Sequence, residues 1–284
     1  MDCRLSNLFI PGFPKSGTTS LFNMLTQHPL ISGSTYKEPH TYSIDSYYQQ
    51  RFDPDHKRAL PALYAHEKPR SRFRLDASTT YLISPVAISR IIDDCPDSLF
   101  IVPMRDPVER VISHYHWLAA QGQVRKPFRK EIAAWHDRPF LANEPIDGCY
   151  KYYTGFSAYG TQLQRLLSVV GKDRVFFFAC EDLAIDPVST VNRIFDFLNI
   201  VQVSVETTFS NITEEDFQGT SIPWHHPLRR WRVFRARKNY ISGADVTTED
   251  KAWCYQLIES EIRLLENMGL LFPSWKTVRT MLPR

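Results

Sequence analysis

The segment Leu8-Phe9-Ile10-Pro11-Gly12-Phe13-Pro14-Lys15-Ser16-Gly17-Thr18-Thr19 constrains the fold more than any other part of the chain. A short apolar run meets Pro-Gly, as a buried strand meets a turn. Leu21, Phe22 and Leu25 then recur at helical spacing across residues 18–27, up to His28-Pro29. Strand, glycine-containing loop and helix together aim backbone N–H groups and the positive end of a helix at an anion. The Gly12-x-x-x-x-Gly17 spacing matches a nucleotide phosphate loop, but Thr18-Thr19 stand where that motif carries Lys-Ser/Thr. The lysine lies inside the loop instead, at Lys15. A triphosphatase also wants an acidic residue ending another strand to hold Mg²⁺, and Asp76 is the one fair candidate. The loop reads as a phosphate cradle without the usual metal arrangement.

Three further strands are expected at residues 74–76, 99–102 and 175–179. Helix starts lie between and after them. Ser84-Pro85 offers an N-cap residue before a proline, followed by Val86, Ile88, Ile91 and Ile92. Asp106-Pro107-Val108-Glu109 offers a cap, a proline in the first turn and an acid three residues after the cap, as in a capping box. Val108, Val111, Ile112 and Tyr115 form its inward stripe. Asp186-Pro187 repeats the device before Val191, Ile194, Phe195 and Leu198. Trp253, Leu257, Leu264, Leu265 and Met268 mark a long helix stopped at Gly269. This alternation predicts an α/β fold: a P-loop-like, three-layer arrangement with a mainly parallel central sheet and helices on both faces. With no Gly/Ser- or Pro-rich linker, residues 1–284 read as a single domain. Ligands of such sheets sit beyond the carboxyl ends of the strands.

Composition narrows the partners. A net charge of +3 is too mild to argue for nucleic acid. The chain shows no signal-peptide pattern and no apolar stretch of membrane-spanning length. Its five cysteines (Cys3, Cys95, Cys149, Cys180, Cys254) follow no zinc or disulfide spacing, so reduced thiols in a cytosol are the simplest expectation. Residues 229–238 carry six positive charges and no acid, flanked by Trp224 and Tyr240. They read either as a solvated face anchored by Trp231 and Phe234, or as a lid or surface for an anion.

Two more groups belong with the loop. Arg105 falls just past the 99–102 strand, and Ser113 lies two helical turns on. A guanidinium fork and a hydroxyl suit phosphate oxygens. Lys37-Glu38-Pro39-His40 follows the first helix and offers a carboxylate and an imidazole for acid–base work.

Pro14-Lys15-Ser16-Gly17-Thr18-Thr19-Ser20-Leu21 resembles the 5′-phosphosulfate loop of the sulfotransferases. Arg105-Asp-Pro-Val-Glu-Arg110-Val-Ile-Ser113-His-Tyr115 follows their 3′-phosphate motif, and Lys37-Glu38-Pro39-His40 is similar to a motif of the heparan-sulfate type. The resemblance extends through Tyr159, Glu181-Asp182-Leu183 and Phe197-Leu198. It implies 3′-phosphoadenosine-5′-phosphosulfate (PAPS) as co-substrate, no metal, and an acceptor hydroxyl or amine, carbohydrate-like in kind. Lys15, Ser16, Gly17, Thr18, Thr19, Ser20, Arg105, Ser113 and Tyr159 would hold the donor. Lys15 would also serve catalysis at the leaving group. Glu38 would be the base, with His40 orienting Glu38 or the acceptor, or the two roles reversed. Two departures stand out: Ala77 occupies a place where heparan-type enzymes often have lysine, and no cysteine pair matches their C-terminal disulfide loop. The alternatives are a P-loop nucleotide kinase and a non-catalytic nucleotide- or RNA-binding protein.

Overall fold

Five parallel strands form one sheet in the order β2-β3-β1-β4-β5: β1 (Leu8–Phe9), β2 (Ile31–Gly33), β3 (Phe73–Asp76), β4 (Leu99–Met104) and β5 (Val175–Ala179). This computed structural model describes residues 5–121, 123–124, 126–143, 151–207 and 246–282. Cys3, Cys149 and the basic stretch 229–238 lie outside them.

Strand periodicity builds the two cores, because successive side chains point to opposite faces. On one face Leu8, Ile10, Leu75, Ile101 and Phe178 pack against α1 (Thr18–Leu25), α8 (Cys180–Ile185) and α9 (Pro187–Phe197) through Leu21, Met24, Leu183, Val191 and Ile194. On the other, Phe9, Phe100, Val102 and Met104 pack against α4 (Ala87–Asp94) and α7 (Tyr159–Val170) through Ile88, Ile91, Leu163 and Leu166. These are the three layers expected. A third core joins α5 (Pro107–Ala120) and α6 (Phe128–Trp135) to α10 (Thr248–Asn267) and α11 (Lys276–Met281). The short helices α2 (Asp45–Gln49) and α3 (Leu60–Leu63) precede β3. No helix among the described residues is long and apolar enough to cross a membrane.

Capping separates the helix signals that held from those that did not. Asp106 accepts from the N–H groups of Val108 and Glu109 at 3.1 and 3.3 Å, and from that of Val278 at 3.0 Å. Asp186 accepts from Ser189 N–H at 3.0 Å. The capping box at Asp106 is only half made. Glu109 turns away to Lys251 and Thr277, both at 2.6 Å, and the Asp106 N–H donates to the Glu181 carboxylate at 2.9 Å. Ser84 is not a cap. Its N–H bonds Thr80 O at 3.1 Å in a preceding turn, its hydroxyl is buried without a partner, and α4 starts later at Ala87. The long helix starts ahead of its apolar stripe, at a full Thr247/Asp250 capping box.

The topology places the site. From β1 the chain moves outward to β2, returns through β3, and crosses to the opposite side of β1 for β4 and β5. The carboxyl ends of β1 and β4 therefore meet where the winding reverses, which is where such sheets bind ligands.

Candidate active site

A cavity of about 1150 Å³ opens at those strand ends. Its floor is the loop after β1, with Pro14, Lys15, Gly17, Thr18, Thr19 and Ser20 on the wall. Lys15 and Gly17 both take left-handed backbone, at φ 67° and 76°. Glycine adopts that geometry freely, and space is not the constraint, since an added Cβ at Gly17 would find nothing nearer than 3.8 Å. Gly17 is also the N-cap of α1 and offers no side-chain cap, and a helix N-terminus of this kind suits an anion. The Lys15 ammonium stands 5.3 Å from the ring centre of Trp117, which lines the same cavity.

Because β1 pairs with β4 (Phe9 opposite Phe100), the second anion motif is brought beside the first. Arg105 follows β4 and donates to the Lys15 carbonyl at 3.3 Å. Ser113, on α5, lines the cavity too. The donor set fits a nucleotide carrying anionic groups at two places: a lysine and helix N–H groups at one, a guanidinium and a hydroxyl at the other.

Glu38 and Thr79 complete the wall on the β3 side. Glu38 Oε1 accepts from Lys37 Nζ at 2.7 Å, and Oε2 accepts from the Thr79 hydroxyl at 2.8 Å. Burial by itself would raise the Glu38 pKa, but Lys37, then His40, and the two hydrogen bonds outweigh it and hold the carboxyl below its ordinary value. His40 sits behind. Its Nε2 is 3.5 Å from Glu38 Oε2, with a side chain 3% exposed against 26% for Glu38. Its Nδ1 lies 2.7 Å from the Thr80 hydroxyl. Burial drives the His40 pKa down to about 4, with Glu38 opposing and Arg58 and Lys37 adding to the drop, so the ring is neutral near pH 7. The backbone explains this stacking of the two groups. His40 is left-handed at φ 56°, with its N–H on the Ser78 hydroxyl at 3.0 Å. Among the described residues only four non-glycines have positive φ, and Lys15 and His40 are two of them. Strained backbone of this kind gathers at functional sites.

Three expected site residues lie off the cavity wall. His40 is one. Ser16 is fully buried, with a hydroxyl that completes no hydrogen bond. Tyr159 is also fully buried, stacked on Phe13 at 3.9 Å under the loop. Burial pushes its pKa far up, partly offset by Arg110 and the nearby Ser16 hydroxyl. The position of Tyr159 makes it a prop for the loop, with its ring shut off from the cavity. Asp76 ends β3, also fully buried, and accepts from Ser78 and Tyr81 hydroxyls at 2.6 Å each. Burial raises its pKa to about 7 against those bonds.

Sequence reasoning missed several wall residues. Trp117 is one helical turn beyond Ser113, a spacing that could have been read. Cys180 and Glu181 follow β5. Ser274, Lys276 and Thr277 come from the far C-terminal segment, fixed by Thr277 on Glu109 and Val278 on Asp106. Nothing in local pattern announces them.

The fold and cavity define an α/β protein with a P-loop-like strand, loop and helix at the switch point of its sheet. A family model described as the sulfotransferase domain matches residues 5–239, and the chain belongs to the sulfotransferase family. It is similar to human carbohydrate sulfotransferase 15, 23% identical over 250 residues, covering 70% of this chain and 45% of that protein. It is also similar to human heparan sulfate glucosamine 3-O-sulfotransferase 6, 28% identical over 209 residues, covering 72% of this chain and 56% of that protein. The chain thus spans about half the length of these curated relatives. The solved structure of a sulfotransferase from Alicyclobacillus acidocaldarius shares the fold, with a TM-score of 0.65 over 95% of this chain and 98% of that one at 24% identity.

Proposed function

We propose that this chain transfers a sulfuryl group from PAPS to a hydroxyl or amine of a carbohydrate acceptor. One observation carries the reading: Lys15, Arg105, Ser113 and the Glu38 carboxylate line one cavity, which supports a donor side at the first three and a base at Glu38. The relatives' names, carbohydrate and heparan sulfate glucosamine, support a sugar as acceptor. In the transfer an S–O bond to an acceptor hydroxyl, or an S–N bond to an acceptor amine, forms while the S–O bond to the 5′-phosphate breaks. Lys15 and the α1 N–H groups meet the charge that gathers on the departing phosphate. Glu38 takes the acceptor proton, being a carboxylate on the β3 side of the cavity that is held in its charged form. His40, buried and neutral behind it, orients the carboxylate. Arg105 and Ser113 recognise the 3′-phosphate. A cytosolic setting is part of the same proposal and rests on the scattered cysteines.

The kinase reading is not favoured. Asp76, its candidate Mg²⁺ ligand, has both carboxylate oxygens engaged and no exposed surface. A non-catalytic nucleotide or RNA binder leaves Glu38 on the wall without a use.

Calorimetric titration of 3′,5′-adenosine bisphosphate and adenosine 5′-monophosphate tests the donor assignment. Arg105→Ala is expected to weaken the bisphosphate by about 1.5–3 kcal/mol, the range for a hydrogen bond to a charged group. The monophosphate, which has no 3′-phosphate, should bind almost as before. Equal weakening of both would remove Arg105 from the 3′ site.

A further inference from the structure

We propose that Lys37 is a positioning residue for the transfer: its ammonium ties the Glu38 carboxylate to the first turn of α1 and keeps it charged where the acceptor must meet it. The proposal rests on the assignment of Glu38 as the base. Lys37 Nζ donates to Glu38 Oε1 at 2.7 Å and to Thr18 Oγ1 at 3.3 Å. Thr18 opens α1 and lines the cavity with Glu38. A single cation therefore bridges the acceptor-side wall and the phosphate loop.

The other groups around Glu38 cannot do this. Thr79 gives it a neutral hydroxyl at 2.8 Å. His40 is uncharged near pH 7. The Arg58 guanidinium donates to the backbone carbonyls of Glu38 and Pro39, at 3.4 and 3.0 Å, and so holds the loop from behind. Asp76, buried nearby, repels a second negative charge. Lys37 sets a full positive charge within hydrogen-bond reach of the carboxylate. An exposed ion pair would count for little, but this one is only 21% and 26% exposed at its two side chains. Burial works against charge on Glu38, so an opposing cation decides its state. The bond to Thr18 is the longer of the two. A charged donor oxygen arriving at that turn is a stronger acceptor than a hydroxyl, and Lys37 would then span the sulfuryl group and the base together.

The first measurement needs neither donor nor acceptor. Carboxyl-labelled glutamate is titrated by carbon NMR, and the Glu38 signal is identified by its loss in Glu38→Gln. In the parent the midpoint lies below the ordinary glutamate range. In Lys37→Met it is expected to rise by at least about one unit, a tenfold change in proton affinity, while Lys37→Arg stays near the parent. The acid limb of turnover should move to higher pH by the same amount, which a merely structural role would not cause. Bisphosphate affinity should stay within about threefold of the parent, because that ligand carries no sulfuryl group; this also shows that the variants fold. An unmoved midpoint in Lys37→Met overturns the proposal, and so does a rise in Lys37→Arg as large as that in Lys37→Met. Failure of the parent to bind the bisphosphate would instead sink the donor reading, and the titration would still decide the part played by Lys37.

Discussion

Lys15→Ala is expected to lower turnover by roughly 100- to 1000-fold, the loss typical when a group aimed at developing charge is removed. The size follows from its place. Lys15 is the only lysine within the loop after β1, and its left-handed backbone turns it onto the wall that holds Gly17, Thr18 and Thr19. Charge grows on the leaving 5′-phosphate only as the S–O bond breaks, so the effect should fall on kcat more than on ground-state binding. Lys15→Arg keeps the charge but changes its shape and reach, and should recover only part of the rate. Steady-state kinetics on both variants is the check. Turnover of Lys15→Ala within threefold of the parent would remove Lys15 from the leaving group.

Glu38→Gln should cost roughly 100- to 10 000-fold in kcat, the usual contribution of a positioned general base, with bisphosphate affinity nearly intact. The amide keeps the shape and the Thr79 contact but cannot take a proton. The pH dependence carries a sign. Glu38 must be ionised to act and its pKa is lowered, so parent activity should persist into mildly acidic solution and fall only below the ordinary carboxylate range. The same lowered pKa adds stability above the unfolded value, which is lost as pH falls through the folded one. Were Glu38→Gln to keep its turnover while bisphosphate binding collapsed, Glu38 would be a binding residue and His40 would take up the role of base.

What could be read in advance was whatever short-range chemistry sets. Pro11-Gly12 and the threonines after Gly17 announce β1, the loop and α1, because turn residues and helix periodicity act within a dozen positions. Asp106-Pro107 announces α5 for the same reason. β2 escaped because Ile31-Ser32-Gly33 is too short to show alternation, and its place is set by pairing with Phe73 to Leu75 some forty residues away. Glu109 looked like half of a capping box, yet Lys251 and Thr277 claim it from 142 and 168 residues off. Ser84-Pro85 looked like a helix start and is the end of a turn. The site divides likewise. The motif residues were legible as a set; their order in depth was not. Glu38 reaches the wall, His40 lies behind it and Tyr159 lies under the loop because of left-handed backbone at His40 and stacking on Phe13. The bridge from Lys37 to Thr18 exists only once α1 has packed beside the residue 37–40 segment.

The most direct test of sulfuryl transfer uses PAPS carrying radioactive sulfur and a panel of glycans bearing free hydroxyls and amines, in excess EDTA. The proposed function predicts that label moves to a sugar acceptor and that 3′,5′-adenosine bisphosphate appears one for one with it. Since no step assigned to Lys15, Glu38 or Arg105 calls on a metal, chelation should leave the rate unchanged. The contrary result is PAPS left whole on every acceptor, with the terminal phosphate of ATP transferred instead once Mg²⁺ is restored.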